Sequence, residues 1–464
     1  MRQFLTDQER LPPTASIRVE DFVNYFKYDL PQPEEGADCP FQTTVEIQKH
    51  PWQDGLFMAM ISLKGREIPE EKRPKLNLVF LLDVSGSMSS WNKLPLVKDG
   101  MTKLLDGLKP GDRVAIVTYA NGTDVALEPT LGSEKQKIEK VILSLNAMGG
   151  TAGGEGIQKA YALARQNFDP EAVNRIVLCT DGDFNIGMIG NDELQTLIET
   201  EAKSGVFLTV LGFGMGNYQD DRMKLLASHG NGIYGYVDSR DEARRMLCDE
   251  LAGSMITIAK DVKLQVEFNP AHVAAYRLIG YECRKLAARD FHDDRKDAGE
   301  IGAGHSVTAL YELVPVGVEV PAADRVDEPR YAQPKAEADA SSPESAASEK
   351  KPDADVEPDA NAKSNDSPEW LFVKLRWKEP DASASTLKTF PVVFDPSKVS
   401  ETPASPNFRF ASGAALFAML LRESAYSGTA NFDSVLELIQ PAVGESAQRQ
   451  EFQKLVEKAK SLWR

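Results

Sequence analysis

The sequence predicts an α/β fold in which a doubly wound, mostly parallel sheet is inserted in an antiparallel β module with a C-terminal helical cap. Three observations support this prediction. Apolar strand-like runs alternate with helical patterns between Lys75 and Ser254, strand-like runs with turns lie on both sides of that region, and helical spacing returns near the end. At 464 residues the chain is too long for one ordinary core. Two or three domains are therefore expected.

Residues 1–70 are predicted to form an N-terminal helix and two β-strands. An amphipathic helix within residues 14–30 is indicated by a stripe of apolar side chains, Val19, Phe22, Val23 and Phe26. The two strands are Thr43–Lys49 and Leu56–Lys64, separated by a turn at Asp54-Gly55. Because these strands lack partners in their own region, we expect them to join the sheet that follows the central domain.

The central domain is assigned to residues 75–254. Its predicted strands are Leu76–Leu82, Arg113–Tyr119, Arg175–Thr180, Phe207–Phe213 and Ile233–Val237. Apolar stripes at helical spacing lie between them, beginning at Leu94 and at Ile157. Asn121-Gly122 stands between two strand-like runs and is a strong hairpin signal. One edge strand of this sheet should therefore be antiparallel.

Residues 255–395 are predicted to form a β-rich module, either one antiparallel sheet or a sandwich. Its strands are Val262–Phe268, Ala275–Tyr281, Val307–Leu313, Trp370–Trp377 and Lys388–Phe394. Residues 318–368 interrupt it with Ala, Pro, Ser and charged residues and almost no large aliphatic side chains, which predicts a disordered acidic loop. Residues 396–464 return to helical spacing and are expected to cap the module.

Oxygen-bearing side chains follow two of the predicted strands and lie in one glycine-rich loop. The first strand runs directly into Asp83-Val84-Ser85-Gly86-Ser87, and another strand is followed by Asp181. Ligands of open α/β sheets bind in the crevice beyond the carboxyl ends of the strands, so these side chains should converge there. The candidate metal ligands are Asp83, Ser85, Ser87, Thr151 and Asp181.

Carboxylate and hydroxyl oxygens without imidazole or thiolate suit a hard cation, Mg²⁺ or alternatively Mn²⁺ or Ca²⁺. Taken alone, the Asp83 segment has an alternative interpretation as a helix-capping turn, because Asp and Ser favour that position. The glycines at 149–156 could cradle a phosphate, but they lack the Gly-Lys-Ser or Gly-Lys-Thr sequence of such loops. The agreement of three separate segments favours the metal.

In these three segments the chain resembles the von Willebrand factor type A (VWA) family, whose domains have a Rossmann-like, doubly wound sheet. The resemblance implies a metal-ion-dependent adhesion site built from the same five residues. It implies that the hydroxyls of Ser85, Ser87 and Thr151 bind the ion directly. Asp83 and Asp181 would bind it directly or through water. One coordination position would then remain for a partner's Asp or Glu carboxylate.

The expected function is metal-dependent protein binding without catalysis. A net charge of −17 argues against a nucleic acid partner, and no apolar run is long enough for an integral membrane segment. Two alternatives remain: a metal-dependent hydrolase, or a scaffold in which the metal has no binding role. A hydrolase would need a base or nucleophile at the crevice, and neither a Gly-x-Ser-x-Gly sequence nor a histidine close to the three segments is present.

A bacterial group within the family, the YfbK-like group, is similar to this chain over nearly its whole length. The similarity rests on the sequence Arg18–Phe26, the glycine-rich loop continuing through Gly156, and the run that begins Phe410-Ala411-Ser412-Gly413. It implies an extracytoplasmic location, periplasmic or as a cell-envelope lipoprotein in a longer form. Residues 1–10 are polar and have no apolar core, so we do not expect a signal peptide within them.

Overall fold

The computed structural model describes residues 1–150, 153–182, 191–214, 220–250, 256–281, 299–319, 367–380, 382 and 384–463. The strands are β1 (Phe41–Lys49), β2 (Phe57–Gly65), β3 (Lys75–Asp83), β4 (Arg113–Tyr119), β5 (Thr123–Leu131), β6 (Ala172–Thr180), β7 (Val206–Phe213), β8 (Tyr234–Val237), β9 (Thr257–Phe268), β10 (Val273–Ile279), β11 (Gly299–Gly302), β12 (Ser306–Pro315), β13 (Glu369–Lys378) and β14 (Ser385–Val393). The helices are α1 (Arg2–Thr6), α2 (Val19–Asn24), α3 (Leu94–Leu104), α4 (Lys135–Ser144), α5 (Gly153–Gln166), α6 (Asn191–Lys203), α7 (Asp220–His229), α8 (Arg240–Arg244), α9 (Pro406–Leu421), α10 (Phe432–Ile439) and α11 (Ala447–Leu462). A π-helical turn, Arg245–Glu250, continues α8.

The central sheet has six strands in the order β5-β4-β3-β6-β7-β8. All neighbouring strands are parallel except β4 and β5, which pair antiparallel across the Asn121-Gly122 turn. The structure therefore confirms the predicted mostly parallel sheet and its antiparallel edge. Because β3, β4, β6 and β7 run in one direction, their carboxyl ends meet at a single edge of the sheet.

Helices cover both faces of this sheet, as a doubly wound fold requires. Phe80 and Leu82 of β3 are fully buried in a hydrophobic cluster with α3, α4 and α8. Val79 and Leu81 alternate with them and pack in a second cluster with α5, α6 and α7. Each fully buried side chain of this size contributes about 1.5–3 kcal/mol of hydrophobic stabilisation. Because β3 is packed on both faces, the position of its last residue, Asp83, is fixed.

The other strands form a sandwich of two four-stranded sheets, β1-β2-β12-β10 and β11-β9-β13-β14. β2 pairs antiparallel with β12, so strands from before and after the central domain share one sheet, which confirms the predicted insertion. Ile61 and Leu313 of one sheet share a buried cluster with Trp370 and Val373 of the other. The predicted loop 318–368 lies outside the described residues except at its ends.

The helical cap packs on the outer face of the first sheet. Met58 and Met60 of β2 point away from the sandwich core and join a cluster with Phe410 and Phe417 of α9. Helices α1, α2, α10 and α11 complete that cluster. Residues at alternate positions of β2 therefore belong to two different cores. Among the described residues, no helix is long and apolar enough to cross a membrane.

The N-terminal helix is shorter than predicted. Instead of one helix within residues 14–30, the chain forms a 3-10 turn at Thr14–Ser16 and then α2, which ends at Asn24. The side chain of Asn24 accepts a hydrogen bond from the Thr308 N–H at 2.8 Å and donates to the Thr308 carbonyl at 3.0 Å. These bonds anchor the end of α2 on β12. Phe26 continues the apolar contact beyond the helix.

Ionic contacts join the cap to the central domain. Arg2 of α1 pairs with Asp238, directly after β8, at 2.6 Å, and with Glu451 of α11. The Tyr25 hydroxyl donates to Glu242 of α8 at 2.9 Å. Asp238 follows the carboxyl end of a central strand, so the cap contacts the same edge of the sheet that carries the candidate site.

Candidate metal centre

Asp83 is fully buried at the carboxyl end of β3. Its Oδ1 accepts a hydrogen bond from the Ser85 N–H at 2.9 Å, and its Oδ2 accepts one from the Tyr119 hydroxyl at 3.2 Å. Burial raises the pKa of Asp83 to about 6, the charge of Asp181 adds to the rise, and the hydrogen bonds from Ser85 oppose it. The two carboxylates are thus close enough to interact.

Ser85 and Ser87 place two hydroxyl groups beside each other. Their Oγ atoms are 3.0 Å apart, and Ser85 is almost fully buried. A 3-10 turn, Gly86–Ser89, brings the second serine back toward the first. The Gly86 N–H donates to the Gly149 carbonyl at 3.0 Å, which fastens this turn to the glycine-rich loop.

Asp181 lies on the neighbouring strand end, directly after β6, and is 9% exposed. The Thr180 hydroxyl reaches Asp83 Oδ2 at 3.5 Å, which connects the ends of β3 and β6. Asp181 Oδ2 pairs with Lys93 Nζ at 2.8 Å. The structure thus brings Asp83, Ser85, Ser87 and Asp181 to one edge of the sheet.

Thr151, the fifth candidate ligand, lies outside the described residues. The described residues just before it are held against the site: the Met148 N–H donates to the Val84 carbonyl at 2.8 Å. Gly149 has φ +85°, a backbone conformation that favours glycine. The Asn121 side chain lies directly over it and accepts a hydrogen bond from the Gly150 N–H. The described part of the loop, which ends at Gly150, therefore lies against the Asp83 turn.

Gly149→Ala is expected to destabilise the protein by about 1–2 kcal/mol, because a side chain is strained at positive φ. The new Cβ would also lie 2.7 Å from Asn121 Nδ2 and would break the contact that holds the loop. Gly122→Ala is the matched control, since a Cβ there meets nothing within 4 Å. Urea denaturation measures both variants. Equal stability of the two would show that Asn121 does not fix the loop.

Two residues of the site, Tyr119 and Lys93, are not predicted from the sequence. Tyr119 is fully buried, and its hydroxyl contacts Asp83; burial raises its pKa well above the usual range, so it remains neutral. The sequence feature that could have indicated Tyr119 as a site residue is its position at the end of a predicted strand. Lys93 pairs with Asp181 across 88 positions of sequence. Nothing in the sequence pattern indicates that contact.

The donor set fits a hard divalent cation. Its side chains offer carboxylate and hydroxyl oxygens, which Mg²⁺ and Ca²⁺ prefer and which are poor ligands for soft metals. In the part of the chain that the structure describes, no group of three or more His, Cys, Asp or Glu side chains could hold a metal ion. A metal at this edge would therefore depend on the serine hydroxyls as well as the two aspartates.

Two large apolar side chains are exposed in the segments that carry the candidate ligands. Trp91 follows the serine turn and is 68% exposed, and Met148 precedes the glycine-rich loop and is 66% exposed. Aromatic residues and Met are enriched where proteins contact one another. Both are close in sequence to candidate ligands, Trp91 to Ser87 and Met148 to Thr151.

Comparison with protein families identifies the central domain. Residues 77–246 match the von Willebrand factor type A domain. Residues 1–58 match a family described as von Willebrand factor, and residues 253–350 and 342–462 match one described as the C-terminal region of uncharacterized protein YfbK. The central sheet with its helices is thus a VWA domain.

The full chain has a relative in Escherichia coli strain K12, the uncharacterized protein YfbK. The two are 36% identical over 466 residues, which cover 99% of this chain and 75% of that protein. This chain belongs to the YfbK family of VWA proteins.

More distant similarities involve smaller parts of the chain or lower identity. Human inter-alpha-trypsin inhibitor heavy chain H2 is 28% identical over 186 residues, which cover 36% of this chain and 19% of that protein. A solved von Willebrand factor type A structure from Catenulispora acidiphila aligns with 15% identity and a TM-score of 0.46, covering 91% of each chain.

Proposed function

We propose that this protein is a divalent-metal-dependent protein-binding module. In this proposal, one Mg²⁺, or Mn²⁺ or Ca²⁺, is held by Asp83, Ser85, Ser87, Thr151 and Asp181, and the bound ion takes an Asp or Glu carboxylate of a partner protein. The observation that carries the proposal is the convergence of Asp83, Ser85, Ser87 and Asp181 at the carboxyl edge of a VWA sheet.

The charges of the site favour an acidic ligand. Asp83 and Asp181 supply two negative charges, and the serine and threonine hydroxyls supply none, so the donor set balances a divalent cation without excess negative charge. When bound, the metal supplies an electrophilic position for one further oxygen. Tyr119 and the Ser85 N–H hold the Asp83 carboxylate in place from the protein side. An incoming carboxylate would meet little repulsion.

The surroundings of the site support a protein as the partner. Trp91 and Met148 are exposed on the segments that hold the ligands, and buried aromatic anchors contribute much of the binding energy at protein interfaces. We expect the partner to present an acidic residue beside apolar side chains.

The side-chain contacts of three of the four described histidines fit a non-enzymatic role. His50 contacts Glu312, His229 contacts Glu199, and His272 contacts Ser367. None of these contacts involves the strand ends that carry Asp83 and Asp181. A hydrolytic mechanism would need a general base within hydrogen-bond reach of the reacting group.

The proposal is tested by retention of proteins on the immobilised chain. As the resemblance to the YfbK-like group implies, we place binding outside the cytoplasm, so envelope and cytosolic extracts are applied separately in Mg²⁺ and in EDTA. We expect envelope proteins to be retained only in Mg²⁺, and Trp91→Ala to retain less of them while binding metal normally. Retained proteins are then tested after replacement of their acidic residues by amides. Retention that is the same in EDTA would contradict the proposal.

A further inference from the structure

Lys93 brings an ammonium group onto one of the two carboxylates of the candidate metal centre. Its Nζ lies 2.8 Å from Asp181 Oδ2 and donates to the backbone carbonyl of Ser87 at 3.0 Å. One atom therefore contacts a candidate carboxylate ligand and the residue that carries a candidate hydroxyl ligand. A positive charge is fixed within the donor set itself.

The fold builds a specific position for this side chain. Gly214 follows β7 at the same edge of the sheet and has φ +82°. A Cβ at Gly214 would lie 2.3 Å from Lys93 Cε, so the glycine leaves the space in which the lysine stem runs. The Lys93 side chain is only 15% exposed. Ordering a lysine costs up to about 2 kcal/mol of side-chain entropy, so these contacts must hold the ammonium group in place.

A cation that uses Asp181 must share this carboxylate with Lys93 or displace it. Sharing puts like charges next to each other in a partly buried place, where water screens them poorly. We propose that Lys93 is a tethered cation that competes with the divalent metal for Asp181, so that loading the site requires the ammonium group to leave. The inference rests on the proposed function, because it assumes that Asp181 is a metal ligand.

The consequence is a metal affinity set by competition between two cations. Removing the lysine charge should tighten metal binding, whereas a VWA site without such a lysine would load at lower metal concentration. The protein would then bind its acidic partner only where free divalent metal is abundant. Lys93 would thus determine the conditions under which the site is available.

Calorimetric titration of Mg²⁺ into Lys93→Met tests the competition. We expect Lys93→Met to bind Mg²⁺ about tenfold more tightly or better, because the variant lacks the positive charge that repels the metal ion and neutralises Asp181. Lys98→Met is the matched control: it lies on α3, which begins directly after Lys93, and changes the net charge equally, but its Nζ donates to the carbonyls of Leu143 and Leu145. The control should bind Mg²⁺ as the wild type does.

A second measurement uses the unaltered protein and does not depend on the variant's folding. Acylation of lysines by an amine-reactive reagent is followed by mass spectrometry, in EDTA and in saturating Mg²⁺. We expect Lys93 to be protected in EDTA and to become reactive in Mg²⁺, with Lys98 unchanged.

The outcomes separate the inference from the proposed function. Unchanged or weaker Mg²⁺ binding by Lys93→Met would overturn the proposed competition, and so would acylation of Lys93 that is the same with and without Mg²⁺. In either case, metal binding by the wild type would leave the proposed function standing. Failure of both the wild type and Lys93→Met to bind metal overturns both.

Discussion

Replacement of Asp83 by Asn is expected to weaken Mg²⁺ binding by on the order of a hundredfold, since it removes one of the two negative charges of the donor set. The fold should survive. The amide has the same shape, its oxygen can accept the Ser85 N–H, and the Tyr119 hydroxyl can accept as well as donate. The change also removes a buried charge, which is costly to a folded protein.

The effect is measured by calorimetry and by thermal unfolding at increasing Mg²⁺. A ligand that binds only the folded state raises the melting temperature, so the wild type should show a rise and the variant should not. Asp106→Asn, an exposed aspartate of the same domain, is the control for net charge. If Asp83→Asn bound Mg²⁺ as well as Asp106→Asn does, the metal would have to bind elsewhere.

Asp112→Ala is expected to lower the free energy of unfolding by about 3–5 kcal/mol, the cost of breaking a buried ion pair. Asp112 is fully buried and pairs with Arg73 at 2.8 Å. It also accepts the backbone N–H groups of Leu76 at 2.9 Å and Lys109 at 2.8 Å. The substitution would leave the arginine charge, one buried backbone donor and one partly buried backbone donor without this acceptor at the start of β3.

Urea denaturation measures this loss, and Glu70→Gln provides the comparison. Glu70 pairs with the same arginine, but its side chain is 67% exposed, so its removal should change stability by no more than about 0.5 kcal/mol. Asp112 lies at the opposite end of β3 from Asp83, so the folded fraction of Asp112→Ala should bind Mg²⁺ normally. Similar stability of the two variants would show that burial does not determine how much each ion pair contributes to the free energy of unfolding.

The central sheet could be predicted because its signals are local. Each strand is a short apolar run, and Asp83, Ser85 and Ser87 follow one such run at alternate positions. The edge hairpin was visible in two residues, Asn121-Gly122. Parallel strands must bring their carboxyl ends together, so the meeting of Asp83 with Asp181 followed from the fold class.

The parts that could not be predicted depend on contacts between distant residues. The later strands alternate as expected, but their division into two sheets depends on pairings such as β9 with β13, whose partners are about a hundred residues apart. The end of α2 at Asn24 depends on Thr308 in β12. Lys93 contacts Asp181 with its stem in the space that Gly214 leaves open. No local pattern contains any of these relations.

The position of β2 has a consequence for synthesis of the chain. Its first partner, β1, precedes it closely, but its second partner, β12, is translated only after the whole central domain. At about 5–20 residues per second, the ribosome needs on the order of ten seconds or more to reach β12. The VWA domain can fold during this interval. During this time Met58, Met60 and Ile61 of the β1–β2 hairpin remain uncovered, and the sandwich is completed late. The nascent hairpin is therefore the segment most exposed to aggregation or chaperone binding.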